Sequence, residues 1–134
     1  MSGKYMAYVG SYSYTGKAKG ITVYDVDVEN GTFRERCEME VDNSSYVIAS
    51  SDGKTLYSIA DEGVVSFRIL QNGSLARLNS APIRGMRGCH LCTDMEDKYV
   101  FVSGYHDGKT TVLSLNKDGS VGQIVDEVFN KGYG

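Results

Sequence analysis

The sequence predicts an all-β chain of about three four-stranded antiparallel sheets, the blades of a partial β-propeller, the first lacking its inner strand. Three observations carry this. Apolar and β-branched residues alternate with polar ones at period two along most of the chain, as in Ile21-Thr22-Val23-Tyr24-Asp25-Val26. Turn dipeptides of the Asn-Gly and Asp-Gly type sit between such runs. Both patterns return every 44 residues or so, which is the period of a four-stranded propeller blade: Gly73 follows Gly31 by 42 positions, Gly119 follows Gly73 by 46, and Lys98 follows Lys54 by 44.

In order, the first unit holds strands over Tyr5 to Ser11, Ile21 to Val28 and Phe33 to Val41, with Asn30-Gly31 turning the last pair. The second holds Tyr46 to Ser50, Thr55 to Ala60, Val64 to Leu70 and Leu75 to Ser80, turned by Asp52-Gly53 and Asn72-Gly73. The third holds His90 to Thr93, Tyr99 to Gly104, Thr110 to Leu115 and Val121 to Phe129, with Asp118-Gly119 in its last hairpin. This gives one partial propeller domain over 1–134, with blade 1 at about 1–42, blade 2 at about 43–84 and blade 3 at about 85–134. No segment carries a helical stripe. Closed propellers need at least about four blades, so three blades leave two sheet faces to be covered. The expected assembly is a homo-oligomer that closes the ring.

Composition narrows the function. With 14 basic and 17 acidic side chains interspersed, the net charge of −3 offers no basic stripe for nucleic acid and no cationic face for a lipid surface. No apolar run approaches the roughly 20 residues that span a bilayer, and the chain enters a strand pattern directly after Met1, so a cytoplasmic location is expected. Three cysteines, Cys37, Cys89 and Cys92, are odd in number and fit free thiols in a reducing compartment.

Several motifs resemble sites and fail on context. Cys89-His90-Leu91-Cys92 has metal and redox spacing, but a strand follows where a redox pair wants a helix N-terminus, and zinc would need a second pair. Haem attachment requires histidine after the second cysteine, and Thr93 stands there. Gly104-Tyr105-His106-Asp107-Gly108-Lys109-Thr110 has three residues between its glycines where a phosphate loop needs four, and an alternating strand follows, so it is a hairpin turn. Asp25, Asp27 and Glu29 lie on a strand pattern with the glycine displaced by one position from a calcium loop. No metal and no organic cofactor is expected.

Gly10-Ser11-Tyr12, Gly20-Ile21-Thr22-Val23-Tyr24, Asn43-Ser44-Ser45-Tyr46, Ser51-Asp52-Gly53-Lys54-Thr55-Leu56-Tyr57, Cys89-His90-Leu91 and Lys98-Tyr99-Val100-Phe101-Val102 follow one another in a fixed order. In that order the chain resembles the seven-bladed β-propeller lactonases, the family of bacterial 6-phosphogluconolactonase and the muconate lactonizing enzymes. Ser44 and Gly88 stand where the family usually has proline, and Gly104 where an asparagine precedes the tyrosine. The resemblance implies the N-terminal three-blade portion of such a protein. It also implies hydrolysis of a sugar lactone without a metal: a base activates water, and cationic groups hold a phosphate or carboxylate.

On that basis His90, which opens the innermost strand of the third unit, is the expected general base, and Arg87 the expected oxyanion partner. Asp61, Arg84, Tyr105 and His106 lie on loops at strand ends, where propellers build clefts, and are the expected substrate contacts. Period-two geometry puts His90 and Cys92 on one face and Cys89 and Leu91 on the other, so a hydrogen-bonded structural imidazole is the alternative for His90. The rival to a lactone hydrolase is a non-catalytic propeller fragment, serving as a self-associating scaffold or a binding module.

Overall fold

A computed structural model describes residues 5–132; the outermost residues of blades 1 and 3 as expected from sequence lie outside these. Eleven strands form, in three antiparallel sheets of three, four and four, with no helix among the described residues. The first sheet is β1 (Tyr5–Gly10), β2 (Gly20–Asp27) and β3 (Thr32–Glu40). The second is β4 (Val47–Ala49), β5 (Thr55–Ile59), β6 (Gly63–Ile69) and β7 (Leu75–Pro82). The third is β8 (His90–Thr93), β9 (Tyr99–Gly104), β10 (Lys109–Leu115) and β11 (Val121–Phe129).

Each sheet is a meander in sequence order. The largest departure from the sequence-based bounds is β7, which runs on through Ala81 and Pro82 because these residues face Val64 and Gly63 of β6. As the outer edge strand, β7 tolerates a residue with no N–H to donate. Gly31, Gly53, Gly73 and Gly119, the glycines of the four turn dipeptides, all have positive φ, between +66° and +90°, as the tight turns require.

The middle sheet is buried on both faces, and its alternation divides between two cores. Tyr57, Ile59 and Val64 join Leu91, Val100, Val102, Leu113 and Val121 of the third sheet. Leu56, Val65, Phe67 and Leu75 join Ile21, Val23 and Val41 from the first sheet and the segment after it. Polar bridges complete these interfaces. Asn79 of β7 donates to the Val121 carbonyl and accepts the Val121 N–H, at 2.8 and 2.9 Å, doing for two sheets what a ladder does for two strands.

The same latch is used at both interfaces. Tyr8 of β1 donates its hydroxyl to the Gly73 carbonyl at 2.6 Å, and Tyr57 of β5 donates to that of Gly119 at 2.8 Å. Each phenol thus reaches the turn of the next sheet. Burial pushes the Tyr57 phenol up to about 12 from the usual 10.0. An acid that holds its proton more tightly when folded gives stability that is complete below the unfolded value and is lost as pH rises. The loss therefore runs from about pH 10 to about 12 and amounts to roughly 2 kcal/mol. Tyr8 is shifted in the same direction, so the difference between wild type and Tyr57→Phe isolates this phenol. Urea midpoints measured from pH 9 to 12 are expected to fall less steeply for Tyr57→Phe. Parallel curves would show that Tyr57 ionises as freely in the fold as outside it.

Candidate functional site on one rim

Successive strands run antiparallel within each sheet, so alternate connections fall on opposite rims. One rim carries the turns at Gly31, Gly53, Gly73 and Gly119. The other carries the β1–β2, β3–β4, β5–β6, β7–β8 and β9–β10 connections, and on it stand all six residues expected from sequence to form the site: Asp61, Arg84, Arg87, His90, Tyr105 and His106.

Contacts across the sheets sort these six into separate groups. Arg87 donates to Asp61 at 2.9 Å and lies over the Tyr12 ring, 5.4 Å from its centroid. Asn43 donates to both Asp61 oxygens at 3.1 Å, and its own carbonyl oxygen accepts the Ser13 and Tyr14 N–H groups at 2.8 and 3.2 Å. A closed circuit through the β1–β2, β3–β4, β5–β6 and β7–β8 connections thus holds the Arg87 guanidinium in one orientation, with about a third of the side chain still exposed. Asn43 can serve this circuit because it takes a positive φ of 53°, which asparagine tolerates better than most residues.

His90 is exposed, while its neighbour Leu91 is fully buried in the core between the second and third sheets. Its ring packs on Tyr46, centroids 4.8 Å apart, where β4 and β8, the unpaired inner edges of their sheets, meet. Cys89 is exposed and donates to the Ser103 carbonyl, and Cys92 is half-buried.

The other candidates lie apart from this pair. Tyr105 and His106 stack on each other in the exposed β9–β10 turn, 4.2 Å between centroids. Arg84 turns away toward the outermost strand, where it donates to Glu127 at 2.9 Å. Lys109 shares that carboxylate at 3.1 Å, and its ammonium, with Arg84 beside it, holds the Glu127 carboxyl below the usual range. Arg84 lines a groove of about 420 Å³ with Pro82, Ile83 and Gln123. A larger cleft, about 620 Å³, lies on the opposite rim among the Asp52, Asp97 and Asp118 turns, and none of the six lines it.

Sequence reasoning missed Tyr12, Asn43 and Tyr46. A lone asparagine before two serines reads as a turn, and only the packed sheets show that it joins three loops. Loop tyrosines likewise give no sign of the rings or cations they will meet.

Three stacked meander sheets with a polar rim define part of a β-propeller. The family model described as "Lactonase, 7-bladed beta-propeller" matches residues 6–134, and the chain belongs to that family. Among curated relatives, a 6-phosphogluconolactonase of Bacillus subtilis strain 168 is 33% identical over 137 aligned positions, covering 98% of this chain and 39% of that protein. One from Formosa agariphila is 28% identical, covering 91% of this chain and 36% of its own length. Among solved structures, a putative 6-phosphogluconolactonase from Bacteroides fragilis superposes with a TM-score of 0.87 at 30% identity, over 96% of this chain and 37% of that one. A second, from Bacteroides uniformis, has a TM-score of 0.91 at 24% identity over 99% and 40%, and shows the fold alone. The chain thus spans about two fifths of the length of the relatives it matches.

Proposed function

We propose that this rim forms part of the substrate cleft of a sugar-lactone hydrolase of the 6-phosphogluconolactonase type. The observation that carries the reading is the Arg87 guanidinium held on the rim by Asp61 and Tyr12, three positions before the exposed imidazole of His90. His90 takes a proton from water, and the hydroxide attacks the lactone carbonyl carbon. Arg87 lies by the oxygen that becomes negative. The ring C–O bond then breaks, the imidazolium returns its proton to the departing alkoxide, and an open-chain hydroxy acid leaves. Tyr105 and His106 supply polar contacts farther along the rim. Arg84, committed to Glu127 at the periphery, serves the loop more than the ligand.

The net charge of −3 supports a small-molecule partner over nucleic acid or a membrane surface. The three free thiols support a reducing, cytoplasmic setting. Apolar side chains on the outward faces of the first and third sheets support self-association of the 134-residue chain.

The test is made in a seven-bladed protein that carries these blades, such as the Bacillus subtilis relative with its matching segment replaced by this one. His90→Ala is expected to lower kcat for a phosphorylated sugar lactone by at least about tenfold, the low end of what a general base supplies. Unchanged turnover in a well-folded variant would leave His90 as packing for Tyr46.

A further inference from the structure

We propose that Lys109 and Asp107 are positioning residues that clamp the β7–β8 loop and thereby set Arg87 and His90 in place, an inference that rests on the rim being the lactone site. The ends of this loop are fixed by backbone hydrogen bonds, Ile83 N–H to the Glu62 carbonyl at 2.9 Å and Cys89 N–H to that of Ser103 at 2.8 Å. Between them the chain is gripped from β10 and the turn before it. The Lys109 ammonium donates to the Arg84 carbonyl and, at 3.1 Å, to Glu127. Asp107 accepts the Met86 N–H at 3.0 Å. Gly85, between the two gripped residues, has φ +92°, and a Cβ there would stand 2.6 Å from Asp107 Oδ2 and 3.1 Å from Lys109 Nζ. The clamp therefore closes on a position whose backbone suits glycine, and where a Cβ would press on both clamp side chains. Arg87 is the next side chain after Met86, and Asp61 receives it.

Lys109 is only 5% exposed. A cation withdrawn this far from water is retained only where its donors are satisfied, and here one of the acceptors is loop backbone. The pairing is thus more than a surface ion pair, because its loss leaves the main chain between Ile83 and Cys89 held by the Met86 N–H bond to Asp107 and by no backbone–backbone hydrogen bond among the described residues.

The two histidines of the chain, His90 and His106, make the test readable by NMR on the 134-residue protein. The Tyr46 ring at 4.8 Å shifts the His90 imidazole signals away from their free positions. Lys109→Met keeps the stem while removing the donors, and Glu127 keeps Arg84 as a partner. Asp107→Ala removes the acceptor of Met86 from the turn without touching the core, and Asp107→Asn retains an oxygen for the same N–H. In the first two variants the His90 signals are expected to move toward free imidazole. Amide exchange at residues 86–89 is expected to accelerate at least about tenfold, as loss of a charge-assisted hydrogen bond implies. Val100 and Val102 in β9 should keep their protection, and Asp107→Asn should behave as wild type.

Unmoved His90 signals with unchanged loop exchange would overturn the proposal, as would acceleration spread equally through β9. In the seven-bladed protein, Lys109→Met and Asp107→Ala should lower kcat with KM unchanged, and full kcat in spite of a loosened loop would also overturn it. An inactive wild-type protein would instead refute the proposed reaction, and the NMR outcomes would still decide whether the clamp exists.

Discussion

Phe67→Ala is expected to lower the unfolding free energy of the chain by about 3–5 kcal/mol. Phe67 is fully buried in the middle of β6, within the cluster that Ile21 and Val23 of β2 enter from the first sheet and Leu56 and Leu75 share from the second. Truncation removes the transfer free energy of a benzyl group and leaves a cavity between two sheets that the paired backbones on either side cannot close. The first sheet depends on this contact more than the second, because the second also packs on the third. The variant is therefore expected to lose its first sheet at lower urea than the rest, splitting one transition into two, with amide exchange assigning the earlier one to β1–β3. Met95→Ala is the control: Met95 is 92% exposed, and its removal should change stability by less than about 0.5 kcal/mol. A single transition displaced by under about 1 kcal/mol for Phe67→Ala would show that the two sheets are not joined through this side chain.

The fold was legible because the evidence for it is local and repeated. Turn glycines require positive φ whatever surrounds them, and the spacing of Gly31, Gly73 and Gly119 reports one unit of four strands without reference to packing. Apolar residues at successive positions, as in Val64-Val65, already mark a strand covered on both sides, and the middle sheet is the one so covered.

What was not legible depends on which rim a turn occupies and which sheet lies next to it. Asp-Gly-Lys occurs at 52–54 and again at 107–109. The first copy turns on the rim of Gly31, Gly73 and Gly119 and leaves Lys54 exposed; the second lies on the opposite rim and buries Lys109 under the β7–β8 loop. Identical tripeptides thus give a solvated turn and a clamp. Arg84 and Arg87 present the same difficulty. Three residues apart on one loop, they were both candidates in sequence, Arg87 for the oxyanion and Arg84 for a substrate contact, yet Arg84 meets Glu127 at the outer strand and Arg87 meets Asp61 near the inner edge. The tyrosine latches fall between these cases. Tyr8 and Tyr57 do the same work at successive interfaces, but the position 44 residues beyond Tyr57 is Phe101, so the repeat is broken where a third instance would have exposed it.

Phe101 leads to the second large effect, which concerns assembly. Alone in solution at micromolar concentration, the 134-residue chain is expected to show a scattering mass well above its 14.7 kDa and to bind a hydrophobic dye. Register places Phe101 in line with Cys92 and Val112 on the face of the third sheet turned away from the second, with Tyr99 and Val128 exposed on the same face. On the first sheet, Tyr5, Val26 and Phe33 form a cross-strand row on the outward face, and β1 presents an edge with no strand beyond it among the described residues. Each face resembles the buried faces within the molecule in its residue types, and each lacks the sheet that covers those. Covering roughly 400 Å² of such surface at about 25 cal/mol per Å² contributes on the order of 10 kcal/mol, against an association cost of about 4–15 kcal/mol. Contact between the third sheet of one copy and the first of another repeats the geometry of the two interfaces already formed, whereas a dimer built on a single face would set that face against its own copy. Head-to-tail association is therefore favoured. Charged substitutions at Phe101 and at Val9, one on each face, should each lower the mass, and should do so without further loss when combined. In a protein carrying all seven blades the same faces would be covered within one chain, and it should be monomeric by the same measurement. A sharp mass of 14.7 kDa for the 134-residue chain, with a cooperative melt and no dye binding, would show that these faces are stable in water as they stand.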